Sequence, residues 1–182
     1  MSTPQPILMS DPMILATLAG YKSETRRIWS ERYAKVERGH LLWVREAWRC
    51  REIRLGGEAL VQYRADKAER WVSLPRDHGL TISPDKHRDA PWASSMFMPK
   101  AFSRATLKVD RVERQRLHAI TIVDCMHEGL RGPDLIGQYR RLWDSLHGDP
   151  PSRWAVNPEV AVVVFEVLQR NVAELAKRRV AA

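Results

Sequence analysis

The segment Val160-Ala161-Val162-Val163-Val164-Phe165-Glu166-Val167-Leu168 is the strongest indicator of fold in this chain. Apart from one glutamate it is wholly apolar, so both faces of an extended chain would be buried. Such a run is typical of a strand inside a small closed or half-closed sheet. Further strands are indicated by shorter runs at residues 7–9, 41–46, 60–63 and 103–112. We therefore expect an α+β protein in which a small β-barrel carries short flanking helices.

Glycines mark the ends of the predicted helices. The apolar spacing of residues 13–19 favours a helix that ends at Gly20, and residues 121–128 favour another that ends at Gly129. A longer helix is predicted over residues 134–146. Its expected inner face consists of Leu135, Tyr139, Leu142 and Leu146.

The organisation of the chain favours a single domain that spans residues 1–182. The pattern becomes irregular between about residues 65 and 95, where prolines, histidines and tryptophans replace any regular spacing. We expect a long irregular insertion there, because long loops in compact domains are more often functional than idle. Residues 169–180 predict a basic C-terminal helix, either solvated or in contact with a nucleic-acid backbone.

The charge is strongly basic. The 182 residues contain 30 Lys and Arg against 22 Asp and Glu, which gives a formal net charge of +8. Arginine pairs bidentately with phosphate and stacks on bases, so this excess favours a nucleic-acid or nucleotide partner. A generally basic protein without an anionic partner could have the same net charge, so the charge alone does not identify a partner.

Cysteine and histidine usage favours a cytoplasmic protein without metal or cofactor. Cys50 and Cys125 lie far apart and form no CxxC motif, which argues against a disulfide framework or a zinc site. The six histidines show no paired ligand spacing such as HExxH. We find no apolar run long enough to cross a membrane and no secretory signal pattern, so no membrane partner is expected.

The segment Gly20-Tyr21-Lys22-Ser23-Glu24-Thr25-Arg26-Arg27 concentrates polar and reactive side chains. If it is extended, Thr25 shares one face with Arg27, and Lys22 lies on the other face with Arg26. A turn after Gly20 would instead bring Lys22 toward Thr25. On its local pattern alone, the segment is equally a solvated, charged turn.

Motifs in a fixed order along the whole chain resemble the ASCH group of PUA-like domains, in particular its phage and prophage branch. The matching motifs include Ile7-Leu8-Met9-Ser10, Gly20-x-Lys22-x-x-Thr25-Arg26-Arg27, Gly39-x-Leu41-Leu42-Trp43-Val44-Arg45-Glu46, Tyr63-Arg64-Ala65-Asp66, Met98-Pro99-Lys100-x-x-Ser103-Arg104, Glu128-Gly129, Leu142-Trp143-Asp144-Ser145 and Trp154-x-x-Asn157-Pro158. The resemblance implies a small β-barrel that acts on RNA or on modified nucleosides.

One subgroup of that family removes the acetyl group from the exocyclic amine of N4-acetylcytidine. The active site of that subgroup has a lysine, a threonine three residues later and a glutamate from a later helix. The residues of this chain that resemble them are Lys22, Thr25 and Glu128. Arg27 matches a further basic position. The resemblance therefore implies that Thr25 attacks the acyl carbonyl, that Lys22 takes its proton, and that Glu128 moves protons at the leaving amine or the deacylating water. Arg26 and Arg27 would help to lower the pKa of Lys22. The members of the subgroup are much shorter than this chain.

Substrate contacts are expected from a second group of residues. Arg27 is suited to a carbonyl, ribose or phosphate oxygen, and Glu46 to the amine of a cytosine. Arg45 and Glu46 equally predict an ion pair at a strand end. Trp48 and Tyr63 border the irregular region and are candidates to stack on a base, although each also suits a packing position.

Three function classes remain open from the sequence. The first is an amidohydrolase that acts on an acylated cytidine-type nucleoside. The second is a non-catalytic RNA-binding module, and the third is a metal-independent ribonuclease for single-stranded RNA. Steep weakening of binding with salt would distinguish a polynucleotide partner from a free nucleoside.

Overall fold

The structure is a computed structural model, and it describes residues 3–54, 56–74 and 90–175. The helices and strands occur in the order β1 (Gln5–Leu8), α1 (Asp11–Leu18), β2 (Glu24–Ile28), α2 (Glu31–Ala34), β3 (Leu41–Arg45), β4 (Trp48–Arg54), β5 (Glu58–Tyr63), β6 (Glu69–Ser73), β7 (Thr106–Arg116), α3 (Ile122–His127), α4 (Leu135–Leu146) and β8 (Glu159–Leu168). Short 3-10 turns lie at Ser95–Phe97, Lys100–Phe102, Leu117–Ala119, Pro150–Ser152 and Trp154–Val156.

The strands form two open sheets, which confirms the mixed α+β class but contradicts the predicted barrel. One sheet has the strand order β1-β3-β7-β8-β2 and the other the order β4-β5-β6. Closure into a barrel would require the free edge of β2 to pair with another strand. Side chains of Lys22 and Glu128 occupy backbone groups on that edge instead, through bonds to the Glu24 carbonyl and the Arg26 amide. In the described part of the chain we therefore find open sheets and no closed barrel.

Residue contacts divide the chain into two compact units. The first comprises Met1–Leu15, Leu41–Thr106 and Leu168–Ala182, and the second comprises Ala16–His40 and Leu107–Val167. The single-domain assignment stays a prediction.

The first unit contains a parallel pair of strands, β1 and β3, and the antiparallel sheet β4-β5-β6. Alternate residues of β4 and β5 point into an apolar cluster, as the period of a strand requires. The buried members of this cluster are Trp48, Cys50, Ala59, Val61, Tyr63, Met98 and Phe102.

The second unit packs helices α3 and α4 on strands β2 and β8. The apolar stretch at residues 160–168 forms the antiparallel partner of β2, so the expected interior strand is confirmed. The buried members of this core are Leu117, Ile120, Cys125, Tyr139, Trp143, Val160 and Val162.

The helix boundaries agree with the sequence, and the inner face of α4 agrees with it in part. Gly20 and Gly129 both follow helices with a positive φ, at 78° and 95°. On α4 the buried residues are Tyr139 and Trp143, whereas Leu146 is 53% exposed. Tyr139 is thus confirmed as an inner residue and Leu135 packs against the core, but Leu146 is replaced on the inner face by Trp143.

The predicted insertion at residues 65–95 contains a regular element that the sequence did not indicate. Residues Glu69–Ser73 form β6 and pair antiparallel with β5. Residues 75–89 of this segment, and 176–180 of the predicted C-terminal helix, lie outside the described residues.

Candidate active site

A buried ion pair joins Lys22 to Glu128 in the second unit. The Lys22 Nζ lies 2.5 Å from Glu128 Oε2, and the two side chains are 1% and 4% exposed. The same nitrogen donates hydrogen bonds of 2.9 Å to the carbonyl oxygens of Glu24 and Glu128. All three hydrogens of an ammonium group are therefore engaged.

Local structure explains why these two residues meet, although 106 positions separate them. The chain leaves α1 in a tight turn, in which the Tyr21 and Lys22 amides both donate to the Ala16 carbonyl. Lys22 and Glu128 then form an isolated antiparallel bridge. Gly129 makes this approach possible, because a Cβ there would lie 2.7 Å from the Ala16 Cβ and 3.3 Å from the Lys22 Cβ.

Glu128 stands at the C-cap of α3 and is held from both sides. Its Oε1 accepts a 2.7 Å hydrogen bond from the Arg26 amide, while the Tyr139 hydroxyl lies 3.4 Å away. The helix itself begins with a capping box, in which Thr121 and Asp124 bond reciprocally. A rigid short helix thus fixes the carboxylate against the edge of β2.

Arg26 crosslinks the acids on the other side of the site. Its guanidinium bonds to the Glu24 carboxylate and, at 3.1 Å, to Asp124 Oδ2. The Arg26 Nε is buried and has no partner among the described residues. Counting Lys22 and Glu128, the cluster holds three carboxylates against two cations.

Thr25 lies on the face of β2 opposite Arg26. It is fully buried, and its Oγ1 accepts a 2.9 Å hydrogen bond from Arg27 Nη1. Within the described residues, no side chain or carbonyl accepts the hydroxyl hydrogen of Thr25. The Lys22 amine makes its three hydrogen bonds to Glu24 and Glu128. Thr25 does not bond directly to this amine, because successive residues of a strand point to opposite faces.

Burial shifts the pKa values of two groups in this cluster. Desolvation lowers the pKa of Lys22, the Arg27 charge lowers it further, and Glu128 acts in the opposite direction. This agrees with the expected effect of Arg27. Desolvation also raises the pKa of Glu24, which the negative charges of Asp124 and Glu128 raise further. Both shifts favour the uncharged forms.

The described residues contain one group of three side chains that could together bind a metal ion: Glu24, Asp124 and His127. A carboxylate oxygen or imidazole nitrogen from each lies within 4.8 Å of those of the other two. Arg26 already supplies a positive charge to both carboxylates. The group therefore does not by itself identify a metal centre.

Glu46 and Arg45 belong to the first unit, whereas the Lys22 cluster belongs to the second. Glu46 is 1% exposed, and both its carboxylate oxygens accept 2.8 Å bonds from Arg104. Arg104 also contacts Asp66 at 2.7 Å. Arg45 bonds instead to the Met96 carbonyl. The predicted ion pair thus exists with a different arginine, and the Glu46 oxygens already have donors.

Trp48 and Tyr63, predicted as substrate contacts, are core residues. They are 7% and 1% exposed, and the Tyr63 hydroxyl donates to the Phe102 carbonyl. Burial raises the pKa of Tyr63 to about 12. Stacking on a base is thus not their role in this structure, because their rings pack inside the apolar cluster of the first unit.

Sequence reasoning missed Glu24, Asp124 and Tyr139 as members of the site. Alternation along β2 placed Glu24 beside Arg26, which was a usable signal. Asp124 and Glu128 are four residues apart on α3, which puts them on one helix face. Tyr139 lies on a separate helix, and no local pattern links it to Glu128.

Comparison with known proteins gives no family for this chain. The sequence matches no protein-family model, and no curated protein is significantly similar to it. A crystal structure of protein EF3133 from Enterococcus faecalis V583, with family model DUF984, superimposes with a TM-score of 0.49 at 10% sequence identity. The match covers 92% of this chain and 82% of that one. Likeness at this level supports no conclusion about function.

No described helix combines the length and the apolar character that crossing a membrane requires.

Proposed function

We propose that this protein is an ASCH-type amidohydrolase that removes an acyl group from the exocyclic amine of a cytidine-type nucleoside. The observation that carries the proposal is the buried Lys22–Glu128 pair, 2.5 Å between Nζ and Oε2, at the edge of the strand that bears Thr25. Charged side chains with 1% and 4% exposure are costly to bury, and they are concentrated at sites that move protons.

The short Lys22–Glu128 contact allows a proton to pass from the amine to the carboxylate. Burial lowers the pKa of Lys22, so its amine gives up this proton more readily than a solvated lysine would. The neutral amine then has a lone pair that accepts the hydroxyl hydrogen of Thr25 through a bridging water, since the two side chains do not bond directly. That hydrogen has no acceptor among the described residues, while Arg27 donates to the oxygen that would attack.

The proposed reaction balances in two stages. The Thr25 oxygen bonds to the acyl carbon, its proton passes to Lys22, and the C–N bond breaks as protonated Glu128 gives its proton to the exocyclic nitrogen. Cytidine leaves, and an ester on Thr25 remains. Water then attacks the ester carbon and gives one proton to Glu128, the ester bond breaks, and the ammonium of Lys22 returns a proton to the Thr25 oxygen. Acetic acid, which ionises to acetate in solution, and the starting enzyme result.

A nucleoside assay tests this proposal. The protein is incubated with N4-acetylcytidine, and cytidine release is measured by chromatography. Thr25→Val keeps the shape of the side chain and removes the hydroxyl, so turnover should fall by about 10³-fold or more. Thr106→Val is the matched control, because Thr106 is also fully buried but donates its hydroxyl to the Arg170 carbonyl. Its turnover should equal that of the unaltered protein.

Two results would contradict the proposal. Absence of cytidine release by the unaltered protein would exclude the activity. Equal turnover by Thr25→Val would exclude the hydroxyl as the nucleophile. Strong, salt-sensitive binding of single-stranded RNA without hydrolysis would favour the RNA-binding alternative.

A cytoplasmic location is part of the proposal, since Cys50 and Cys125 are both free thiols in the structure.

A further inference from the structure

An aromatic ladder runs along one side of α4 in the second unit. Tyr139 and Trp143 have ring centroids 6.2 Å apart, and Trp143 and His147 are 4.1 Å apart with planes tilted by 32°. The spacing of four residues places these side chains on one helix face. At its inner end the Tyr139 hydroxyl lies 3.4 Å from Glu128 Oε1. The ladder therefore begins at the proposed proton donor and ends at the C-cap of α4.

The middle of the ladder is held rigidly. Trp143 is 3% exposed, and its indole Nε1 donates a 2.7 Å hydrogen bond to the Ser152 carbonyl. Tyr139 packs edge-on against Trp154, with centroids 6.2 Å apart. The imidazole of His147 thus rests on an indole whose orientation is fixed.

His147 is the open end of this ladder. Its side chain is half-buried, and its ring nitrogens make no hydrogen bond within the described residues. Burial lowers the pKa of His147, and the charge of Arg27 lowers it further. Arg27 is also the donor to Thr25 Oγ1. The charge of Arg27 therefore acts both on the imidazole of His147 and on the oxygen of the proposed nucleophile.

We infer that His147 stacks on the pyrimidine ring of the substrate, with Trp143 as its backing. This inference rests on the proposed function and names the residue that would recognise the base. Proteins hold unpaired bases by stacking them on aromatic side chains, histidine among them. Trp71 and Trp92 of the first unit are less suited, since arginine side chains already lie 3.6 Å and 4.4 Å from their ring centroids.

Calorimetric titration with cytidine tests the inference. His147→Ala should weaken cytidine binding about tenfold, because stacking on one side chain is typically worth that much or more. His147→Phe keeps an aromatic face and should bind within about threefold of the unaltered protein. His118→Ala is the matched control, since His118 also stacks on a tryptophan, Trp154, at 4.6 Å, but its ring nitrogen is tied to the Trp154 carbonyl. Its affinity should not change.

A second measurement separates stacking from a structural role. On addition of cytidine, the ring-proton resonances that disappear in His147→Phe should move upfield in the unaltered protein, and ribose alone should not move them. Equal affinity of His147→Ala and the unaltered protein would overturn the inference, and so would absence of cytidine binding at millimolar concentration. Cytidine binding through His147 without acetylcytidine hydrolysis would instead leave the stacking site intact and refute the proposed reaction.

Discussion

Replacement of Glu128 by glutamine tests how strongly the buried cluster depends on its charge balance. The glutamine amide would keep an oxygen that can accept from the Arg26 amide, as Glu128 Oε1 does at 2.7 Å. It would remove the negative charge that lies 2.5 Å from the Lys22 Nζ. The change therefore isolates the loss of charge from the loss of volume.

The magnitude follows from the burial of the pair. Removal of one partner from a buried ion pair typically costs about 3–5 kcal/mol, because the remaining charge is left without compensation. Lys22 keeps two carbonyl acceptors at 2.9 Å, and its pKa is already lowered, so it can release its proton at moderate cost. We expect a loss near the lower limit, about 3 kcal/mol in the free energy of unfolding.

Equilibrium urea denaturation at neutral pH measures this loss. Glu166→Gln is the matched control in the same unit, since Glu166 pairs with Lys108 at 3.3 Å but the two side chains are 61% and 45% exposed. Its effect should stay below about 1 kcal/mol. The double variant Lys22→Met with Glu128→Gln should cost less than the sum of the two single variants, because no unpaired charge remains.

Two results would refute this reasoning. A Glu128→Gln loss no larger than that of Glu166→Gln would show that the pair does not carry a buried charge. Strict additivity in the double-mutant cycle would show that Lys22 and Glu128 are not energetically coupled.

Two further predictions concern backbone geometry and pH. Gly129→Ala should lower the free energy of unfolding by about 1–3 kcal/mol, because φ is 95° and the new Cβ would lie 2.7 Å from a neighbouring alanine side chain. Gly148→Ala, which has no atom within 4 Å of its Cβ position, should change it by less than about 0.5 kcal/mol; equal effects in urea denaturation would contradict this. Burial raises the pKa of Glu24, so the folded state retains a proton above the ordinary glutamate pKa where the unfolded chain has lost it. The stability that this group contributes is therefore present below the unfolded pKa and is lost as pH rises through the folded pKa. From pH 4 upward, the unaltered protein should therefore lose stability relative to Glu24→Gln as the pH rises. A stability difference that is independent of pH would refute the raised pKa of Glu24.

Neighbouring residues alone were enough to specify several local elements. Glycine accepts a positive φ that other residues resist, so Gly20 and Gly129 ended the helices where they were expected to. The apolar run at residues 160–168 became a strand between two others, because a segment without a polar face has to be covered on both sides. These features depend on short stretches of chain, and local spacing records them.

Other features depended on contacts between distant segments. Strand β4 escaped prediction because a bulge between Cys50 and Glu52 breaks the alternation that would reveal it. The sheet stayed open because the side chains of Lys22 and Glu128 occupy the edge of β2. Neither the bulge nor the occupied edge leaves a local sequence signal.

The site was divided in the same way between sequence and tertiary structure. The sequence spacing identified Lys22 and Thr25 and predicted that their side chains lie on opposite faces. The partner of Glu46 was not predicted in this way, because Arg45 lies beside it in sequence but Arg104, 58 residues away, pairs with it. The choice of partner for a buried charge depends on which side chains the fold brings within hydrogen-bond reach, and chain spacing does not specify that. For the same reason only the structure showed Tyr139 to lie against the carboxylate of Glu128.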